Sequence, residues 1–550
     1  MKILLAAVNA KYIHTCPAVY SLRAYAYASV PEMSGKITIE TAEFTINDNY
    51  QDVLAGIMAC EADVIGFSTY IWNVDRVRRL IRDIRRIRED TVRIWAGGPE
   101  AGWYPDRLLK EDGADLCMRG EGEVVFSELV RCTALKGSLI GPEDYPEGLA
   151  GLSFLRGGEI VHTGTARPAD LDRIPFLYRD LSLFDNRIIY YEASRGCPFA
   201  CAYCLSGRER GTRYRSLETV REELQFFLDQ KVKQVKFVDR TFNADPVFAT
   251  EIWTYIRDHD NGITNFHFEI EADRMTDDEL ELVSSFRPGL IQMEIGVQSA
   301  NPETLRSVHR YPQLDRIRHV MHMLEPRQNI NLHLDLIAGL PFEGMDSFRE
   351  SFKAVYEMRP NQFQLGFLKL LKGTELYDRR EEYGLVCSQD APYEVLKTKW
   401  LSYEDLVKLH RISDRVEEYV NSQGFRRSLP LVEKLFPDAF SLFDALADYY
   451  RENGYDKNKP SGKKRYEILA DFAAVRADET QLANIREMIR FDQALHIHPS
   501  RRMQLEETFD FGGGPVTCRF DHSECSPVNG EAKAETVLRH SLITQDQPLS

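Results

Sequence analysis

Apolar residues in the first 130 positions come in short unbroken runs separated by amphipathic stretches. The runs at 2–8, 36–41, 63–68, 92–96 and 115–118 read as buried strands, and 17–28, 51–60, 74–88 and 122–131 as the helices between them. That alternation predicts an α/β domain built on a doubly wound, Rossmann-like parallel sheet, whose ligands bind beyond the carboxyl ends of the strands. The residues at those ends are polar or small: Asn9, Ser68-Thr69, Gly97-Gly98-Pro99-Glu100 and Arg119-Gly120-Glu121-Gly122-Glu123.

Positions 136–185 read as a connector, with runs at 151–155 and 159–162 flanking Gly157-Gly158 as a hairpin. Strand and helix then alternate again over 186–390. Strands are expected at 187–192, 235–243, 266–270, 290–297, 331–337 and 362–368, consistent with a partial (βα)6 barrel whose functional residues gather at the carboxyl ends. From 391 to 510 the pattern turns to amphipathic helices, at 403–420, 429–452 and 480–494, giving a mostly helical C-terminal region. The polar stretch 511–550, with Gly512-Gly513-Gly514, reads as a flexible tail.

Composition narrows the classes. With 550 residues, of which 43% are apolar, the chain is long enough for several cores. The first apolar run covers about seven residues before polar Asn9 and Lys11, too short for a signal or membrane helix, and no later segment reads as a membrane span. A net charge of -16 argues against bulk nucleic-acid binding by counterion release. The arginines from Arg76 to Arg88 alternate with Val77, Leu80, Ile81 and Ile84 at helical spacing and read as a solvated face. Ten scattered cysteines without an even framework point to a reducing cytoplasm.

Three of those cysteines stand close together, in Ser194-Arg195-Gly196-Cys197-Pro198-Phe199-Ala200-Cys201-Ala202-Tyr203-Cys204. Thiolates spaced four and three positions apart on one short loop can ligate three irons of a [4Fe-4S] cube and leave the fourth iron open. A zinc site would need a fourth ligand, and no second Cys or His pair follows within the next sixty residues. Cys518 and Cys525, with His522 between them, are a weak metal-tract signal; the other cysteines read as small apolar fillers.

The C-x3-C-x2-C spacing, with an aromatic residue before the last cysteine, resembles the signature of the radical S-adenosylmethionine (radical SAM) superfamily. There the open iron chelates SAM, and electron transfer cleaves it to a 5'-deoxyadenosyl radical. The stretch Ala62-Asp63-Val64-Ile65-Gly66-Phe67-Ser68, followed by Trp95-Ala96-Gly97-Gly98-Pro99-Glu100 and Arg119-Gly120-Glu121-Gly122-Glu123, is similar to the cobalamin-binding domain that precedes the radical SAM core in one large subfamily. A flavodoxin-like or other nucleotide domain without cobalamin is the alternative for that stretch, and its placement directly before the cysteine motif weighs against it. The resemblance implies that Asn9, Ser68, Thr69, Gly97, Gly98 and Glu121 line the cobalamin slot. It implies that Cys197, Cys201 and Cys204 hold the cluster and that Asp239 hydrogen-bonds the SAM amino group. Gln298 and Ser299 would contact its ribose and carboxylate, Gly339 and Leu340 pack on adenine, and the Tyr203 backbone read the exocyclic amine. Asp239 also has a plain reading as a helix cap.

The lower cobalt ligand of many cobalamin proteins comes from an Asp-x-His-x-x-Gly loop after the first strand. Here Asn9-Ala10-Lys11-Tyr12-Ile13-His14 stands in its place, so that ligand is expected to be absent, with His14 displaced by three positions and read as a loop or substrate-facing histidine. The organisation implied is a cobalamin-binding domain at 1–135, the connector, a radical SAM core at 186–390, the helical region and the tail. The cofactors implied are a [4Fe-4S] cluster, SAM and cobalamin, with reduced ferredoxin or flavodoxin as electron donor and an unidentified small-molecule or peptide substrate. The commonest chemistry of the class is methylation of an unactivated carbon or phosphorus centre. The alternatives are a radical cyclase or rearrangement enzyme without net methylation, and a non-catalytic cluster and cobalamin sensor. An RNA methylthiotransferase is disfavoured by the acidic charge and by the lack of a recognisable RNA-binding module.

Overall fold

The computed structural model describes residues 1–208, 211–496, 504–512, 514–528 and 531–539. The chain divides into two compact units. The first comprises Met1–Arg240, Lys369–Glu382 and Val386–Val395, and the second Thr241–Leu368, Tyr383–Leu385 and the chain from Leu396 onward.

The first unit is built on a seven-stranded sheet of β1 (Lys2–Asn9), β2 (Thr38–Thr45), β3 (Val64–Ser68), β4 (Arg93–Gly97), β5 (Leu116–Met118), β6 (Leu152–Arg156) and β7 (Glu159–His162), in the order β2-β1-β3-β4-β5-β6-β7. Strands β1 to β5 are parallel, as their apolar runs predict, because a strand covered on both faces has no polar side to show. The expected connector hairpin forms, but β6 pairs antiparallel with β5 and so extends this sheet instead of standing apart from it.

The helix Val74–Arg88 has the expected bounds and buries Val77, Leu80, Ile81 and Ile84. Its arginines correct the reading of a solvated face. Arg78 and Arg82 pair with the fully buried Asp112 carboxylate at 2.6 Å each, and Arg85 pairs with Asp115 at 2.6 Å. Three members of the basic stripe therefore hold the segment that leads into β5.

The same unit contains two further strand pairs: β8 (Ile189–Tyr191) with β11 (Gln234–Phe237), parallel, and β9 (Ser194–Cys197) with β10 (Gly211–Tyr214), antiparallel. The strand expected to run to 243 stops at Phe237, and Phe242–Ala244 forms a short helical turn.

The second unit contains four parallel strands, β12 (Asn265–Ile270), β13 (Ile291–Gln298), β14 (Asn331–Ala338) and β15 (Gln362–Phe367), each paired to the next. Burial alternates residue by residue along β12, β13 and β14. One face carries Phe266, Phe268, Met293, Ile295, Leu332 and Leu334, all buried, and the other face is polar.

The helical region begins with Tyr403–Val416 and ends with Glu479–His496. The single helix expected over 429–452 is two, Leu429–Glu433 and Ala439–Glu452, interrupted before Pro437 as proline demands. A helix at Gly462–Ala474 completes the set. The expected flexible tail is corrected at two segments: Pro515–Cys525 and Ala532–Arg539 form, with Gln504–Asp510 just before them, an antiparallel three-stranded sheet, with Phe509 and Phe520 packed on Phe491. Residues 513, 529, 530 and 540–550 of that expectation lie outside the described residues. Among the described residues no helix is long and apolar enough to cross a membrane.

Candidate cofactor site

The cysteine loop follows β9 and is closed by tight backbone turns. Cys204 N–H donates to the Cys201 carbonyl and Gly207 N–H to the Cys204 carbonyl, each at 3.1 Å. Gly196 has φ +98°, and a Cβ there would lie 2.1 Å from the Gly211 carbonyl oxygen; one on Gly207 would lie 2.7 Å from the Cys201 carbonyl oxygen. Both positions therefore require glycine. Cys201 is buried, and Cys197 and Cys204 are half-buried. A single zinc ion would gather its sulfurs to roughly 3.8 Å apart, given Zn–S bonds of about 2.3 Å. Among the described residues the one trio of metal-ligating side chains converging within 4.8 Å is a different one, so the three thiols are not gathered as closely as a single zinc ion would hold them.

Asp239 is buried beneath the start of this loop. Its carboxylate accepts from Ala193 N–H at 3.1 Å and Ser194 Oγ–H at 2.5 Å, and burial pushes its pKa up to about 7. The residue expected to meet SAM thus also fixes the strand that enters the cluster loop. Tyr203 is half-buried within the loop, and Leu376 N–H donates to the neighbouring Ala202 carbonyl at 2.8 Å.

Arg195 anchors the loop to the parallel sheet. Its guanidinium pairs with Glu123 at 2.7 Å, Glu192 at 2.8 Å and Glu121 at 3.1 Å. Arg213, on β10, also pairs with Glu121. Glu121 and Glu123 follow β5, so the cluster loop is tied to the carboxyl edge of the sheet. Glu121, expected in the cobalamin slot, is engaged by two arginines and by Ala169 N–H. Arg195 and Glu123 both lie inside stretches singled out from the sequence; their pairing across 72 positions was not visible there.

At the same edge, Thr69 is fully buried, donating to the Gly97 carbonyl and accepting from Ala101 N–H. It braces the turn. Gly98 needs its glycine for internal reasons, having φ +96° with the Thr69 carbonyl 2.6 Å from where a Cβ would stand. Gly97 differs: the nearest atoms to a Cβ there belong to Met118 at 3.9 Å, ordinary van der Waals contact, so no internal clash requires glycine at this strand end. Ser68 Oγ accepts from the Cys16 thiol. Asn9 Nδ2 donates to the His14 carbonyl and to Glu43, and His14 Nδ1 meets Tyr190 Oη at 2.5 Å. Burial, with Lys11 and Lys236 nearby, lowers the His14 pKa.

In the second unit, Gln298 ends β13 with φ +71°, just past a register shift, and its amide folds back so closely that a Cβ on Gly296 would lie 2.2 Å from Nε2. Ser299 is fully buried and donates to Glu343 Oε1 at 2.6 Å; Ser351 Oγ donates to the same oxygen at 2.7 Å. Gly339 has φ +93° and Leu340 is buried. Glu343 was not singled out from the sequence, and nothing in a lone glutamate after Pro341-Phe342 signals that it is fully buried.

Burial pushes the Glu343 pKa up from 4.5 to about 7. A carboxyl with a raised folded-state pKa contributes stability that is complete below about pH 4.5 and lost as pH rises through about 7. Glu343→Gln is expected to remove that share. Across this window the wild type should lose about 3 kcal/mol more stability than the variant, read from urea midpoints at several pH values. Parallel pH profiles would show that Glu343 does not titrate there.

Residues 8–130 match the B12 binding domain, 191–355 the radical SAM superfamily, and 381–508 a protein family of unknown function, DUF4080. The chain is 27% identical over 371 residues to 2-(S-pantetheinyl)-carbapenam-3-carboxylate methyltransferase of Streptantibioticus cattleyicolor, covering 61% of this chain and 50% of that protein. It therefore spans about half the length of that relative. An uncharacterized methyltransferase of Pyrococcus horikoshii is 25% identical over 390 residues, covering 66% of this chain and 80% of that one. The structure of the cobalamin-dependent S-adenosylmethionine radical enzyme OxsB, with aqua-cobalamin and S-adenosylmethionine bound, shares the fold with a TM-score of 0.58 at 15% identity, over 89% of this chain and 78% of that one. The two domain matches imply a [4Fe-4S] cluster, SAM and cobalamin as cofactors.

Proposed function

We propose that this chain, a cobalamin-binding radical SAM protein, is a methyltransferase acting on an unactivated carbon or phosphorus centre of a small-molecule or peptide acceptor. The observation that carries this reading is the Arg195 junction, which ties the cysteine loop to the sheet edge where Ser68, Gly97 and Gly98 stand. Radical source and methyl donor would then share one neighbourhood, the proximity such chemistry needs.

When bound, the cluster with SAM supplies a hydrogen-abstracting radical and cobalamin supplies the methyl group. Cys197, Cys201 and Cys204 would ligate the cluster. Asp239, through Ala193 and Ser194, sets the strand from which the loop departs. Gly97 would leave space for the cobalamin tail, and Thr69 and Gly98 keep the adjoining turn fixed. Gln298, Ser299, Gly339 and Leu340 would hold SAM, with Glu343 locking Ser299 in place. Asn9 is spent on Glu43 and the His14 carbonyl, so it would help shape the loop beside the cobalamin slot. Reduced ferredoxin or flavodoxin is the electron donor this reading calls for, and the cytoplasm its compartment.

A methyltransferase of this kind uses SAM twice, once to remethylate cobalt and once as radical source. Turnover with the true acceptor is expected to give S-adenosylhomocysteine and 5'-deoxyadenosine in equal amounts, one each per methylated product, measured by chromatography of both nucleosides. Deoxyadenosine without matching S-adenosylhomocysteine would replace this reading with cyclisation or rearrangement.

A further inference from the structure

The polar face of the second unit's sheet carries a group of side chains that are not among the residues expected to hold the cluster or SAM. Glu294 on β13 and His333 on β14 are register partners, and Asp335 follows two residues on, on the same face. One ligand atom from each of the three lies within 4.8 Å of the others. His267, on β12, places Nε2 3.1 Å from Glu294 Oε2. All four side chains are only 14–22% exposed.

We propose that Glu294, His333 and Asp335 bind one divalent first-row transition-metal ion of the manganese, iron(II) or zinc class, with His267 orienting Glu294 from outside the coordination sphere. Imidazole together with carboxylate oxygen is the donor set such ions take. His333 Nε2 and Asp335 Oδ1 stand 2.9 Å apart. Yet the buried Asp335 Oδ1 accepts no hydrogen bond among the described residues, so the two atoms approach without the alignment of a donor and an acceptor. Two ligands of one ion do approach in this way: metal–ligand bonds of about 2.1 Å at right angles put neighbouring donors roughly 3.0 Å apart. Two carboxylates brought together in a half-buried place are costly unless a cationic partner, a metal ion or an imidazolium, stands beside them. Three protein ligands leave at least one coordination position open.

Glu294 stands four residues before Gln298 on β13, and Asp335 four before Gly339, which follows β14, about 13 Å along the chain in each case at about 3.3 Å per residue; His333 stands farther back still. The trio is therefore a separate site from the strand ends expected to hold SAM.

Manganese(II) is the suitable probe because it prefers oxygen and imidazole donors and leaves thiolates alone. The full-length protein, with its cluster oxidised, is titrated with Mn(II), and the free ion is followed by electron paramagnetic resonance. One Mn(II) is expected to bind per chain and to be displaced by Zn(II). Glu294→Gln and Asp335→Asn are each expected to weaken binding at least tenfold, and His267→Gln less. Retained cluster iron shows that a variant is folded. Should a ligand variant lose its iron as well, the His267→Gln comparison decides, because that residue lies outside the coordination sphere. Absence of stoichiometric binding by the wild type, or equal affinity in wild type and folded variants, would overturn the proposal and leave an imidazolium–carboxylate cluster in its place.

Discussion

Replacing Cys197, Cys201 and Cys204 together by alanine is expected to take the anaerobically reconstituted protein from about four irons per chain to below one, and to abolish reductive cleavage of SAM. Each single replacement should remove most of the cluster as well, because a cube held at three corners by one loop has no spare thiolate on that loop. The surrounding backbone supports this. Gly196 and Gly207 leave no room for side chains, so the loop cannot readily re-form around another residue. Cys16 and Cys117 are buried, and burial pushes both thiols up, which makes them poor ligands at neutral pH. Cys16→Ala and Cys117→Ala therefore serve as controls and should keep full iron content. Iron and sulfide assays on matched preparations provide the measurement, and a four-iron cluster in the triple variant would contradict the assignment.

The sequence made the first 130 residues legible because buried parallel strands and amphipathic helices carry opposite periodicities. Val74–Arg88 is the clearest case, its apolar stripe fixing both bounds. The turn at Gly157-Gly158 was legible too, since two glycines between alternating runs favour a hairpin, but its attachment to β5 depends on an edge formed 34 residues earlier and leaves no local trace. The arginines of Val74–Arg88 were misread for a related reason: charge at helical spacing looks solvated until the partner, here the fully buried Asp112, is brought to it by the fold. The C-terminal strands were hidden by their composition. Pro515–Cys525 has polar residues at most positions, and its stability comes from Phe509 and Phe520 meeting Phe491 on a distant helix. At the candidate site, the cysteine spacing was enough by itself to single out Cys197, Cys201 and Cys204 as the expected cluster ligands. Arg195 and Glu343 did not declare themselves, because their significance lies wholly in what they touch.

Arg195→Met is expected to destabilise the protein by about 3–5 kcal/mol at pH 7.5, with a smaller loss toward pH 5. The guanidinium is 17% exposed and serves three carboxylates, of which Glu123 is 5% exposed. Burial pushes the Glu123 carboxyl up; Arg195, aided by Ser21 Oγ, more than reverses this and holds it below the usual range. Removing the arginine leaves burial dominant, so the folded-state pKa of Glu123 rises above its unfolded value. Its contribution then becomes one that is present in acid and lost as pH rises, which is why the variant should suffer most at neutral pH. Methionine of similar length keeps much of the packing, so the loss reports charge more than volume. Adding Glu123→Gln to the variant should recover part of the stability, because the neutral amide no longer needs a cation and can still accept from Ser21. Urea denaturation of wild type, both single variants and the double variant at pH 5 and 7.5 completes the cycle. Additive effects would mean that Arg195 and Glu123 do not act as a pair, and that the cluster loop is held to the sheet by Arg213 and backbone contacts instead.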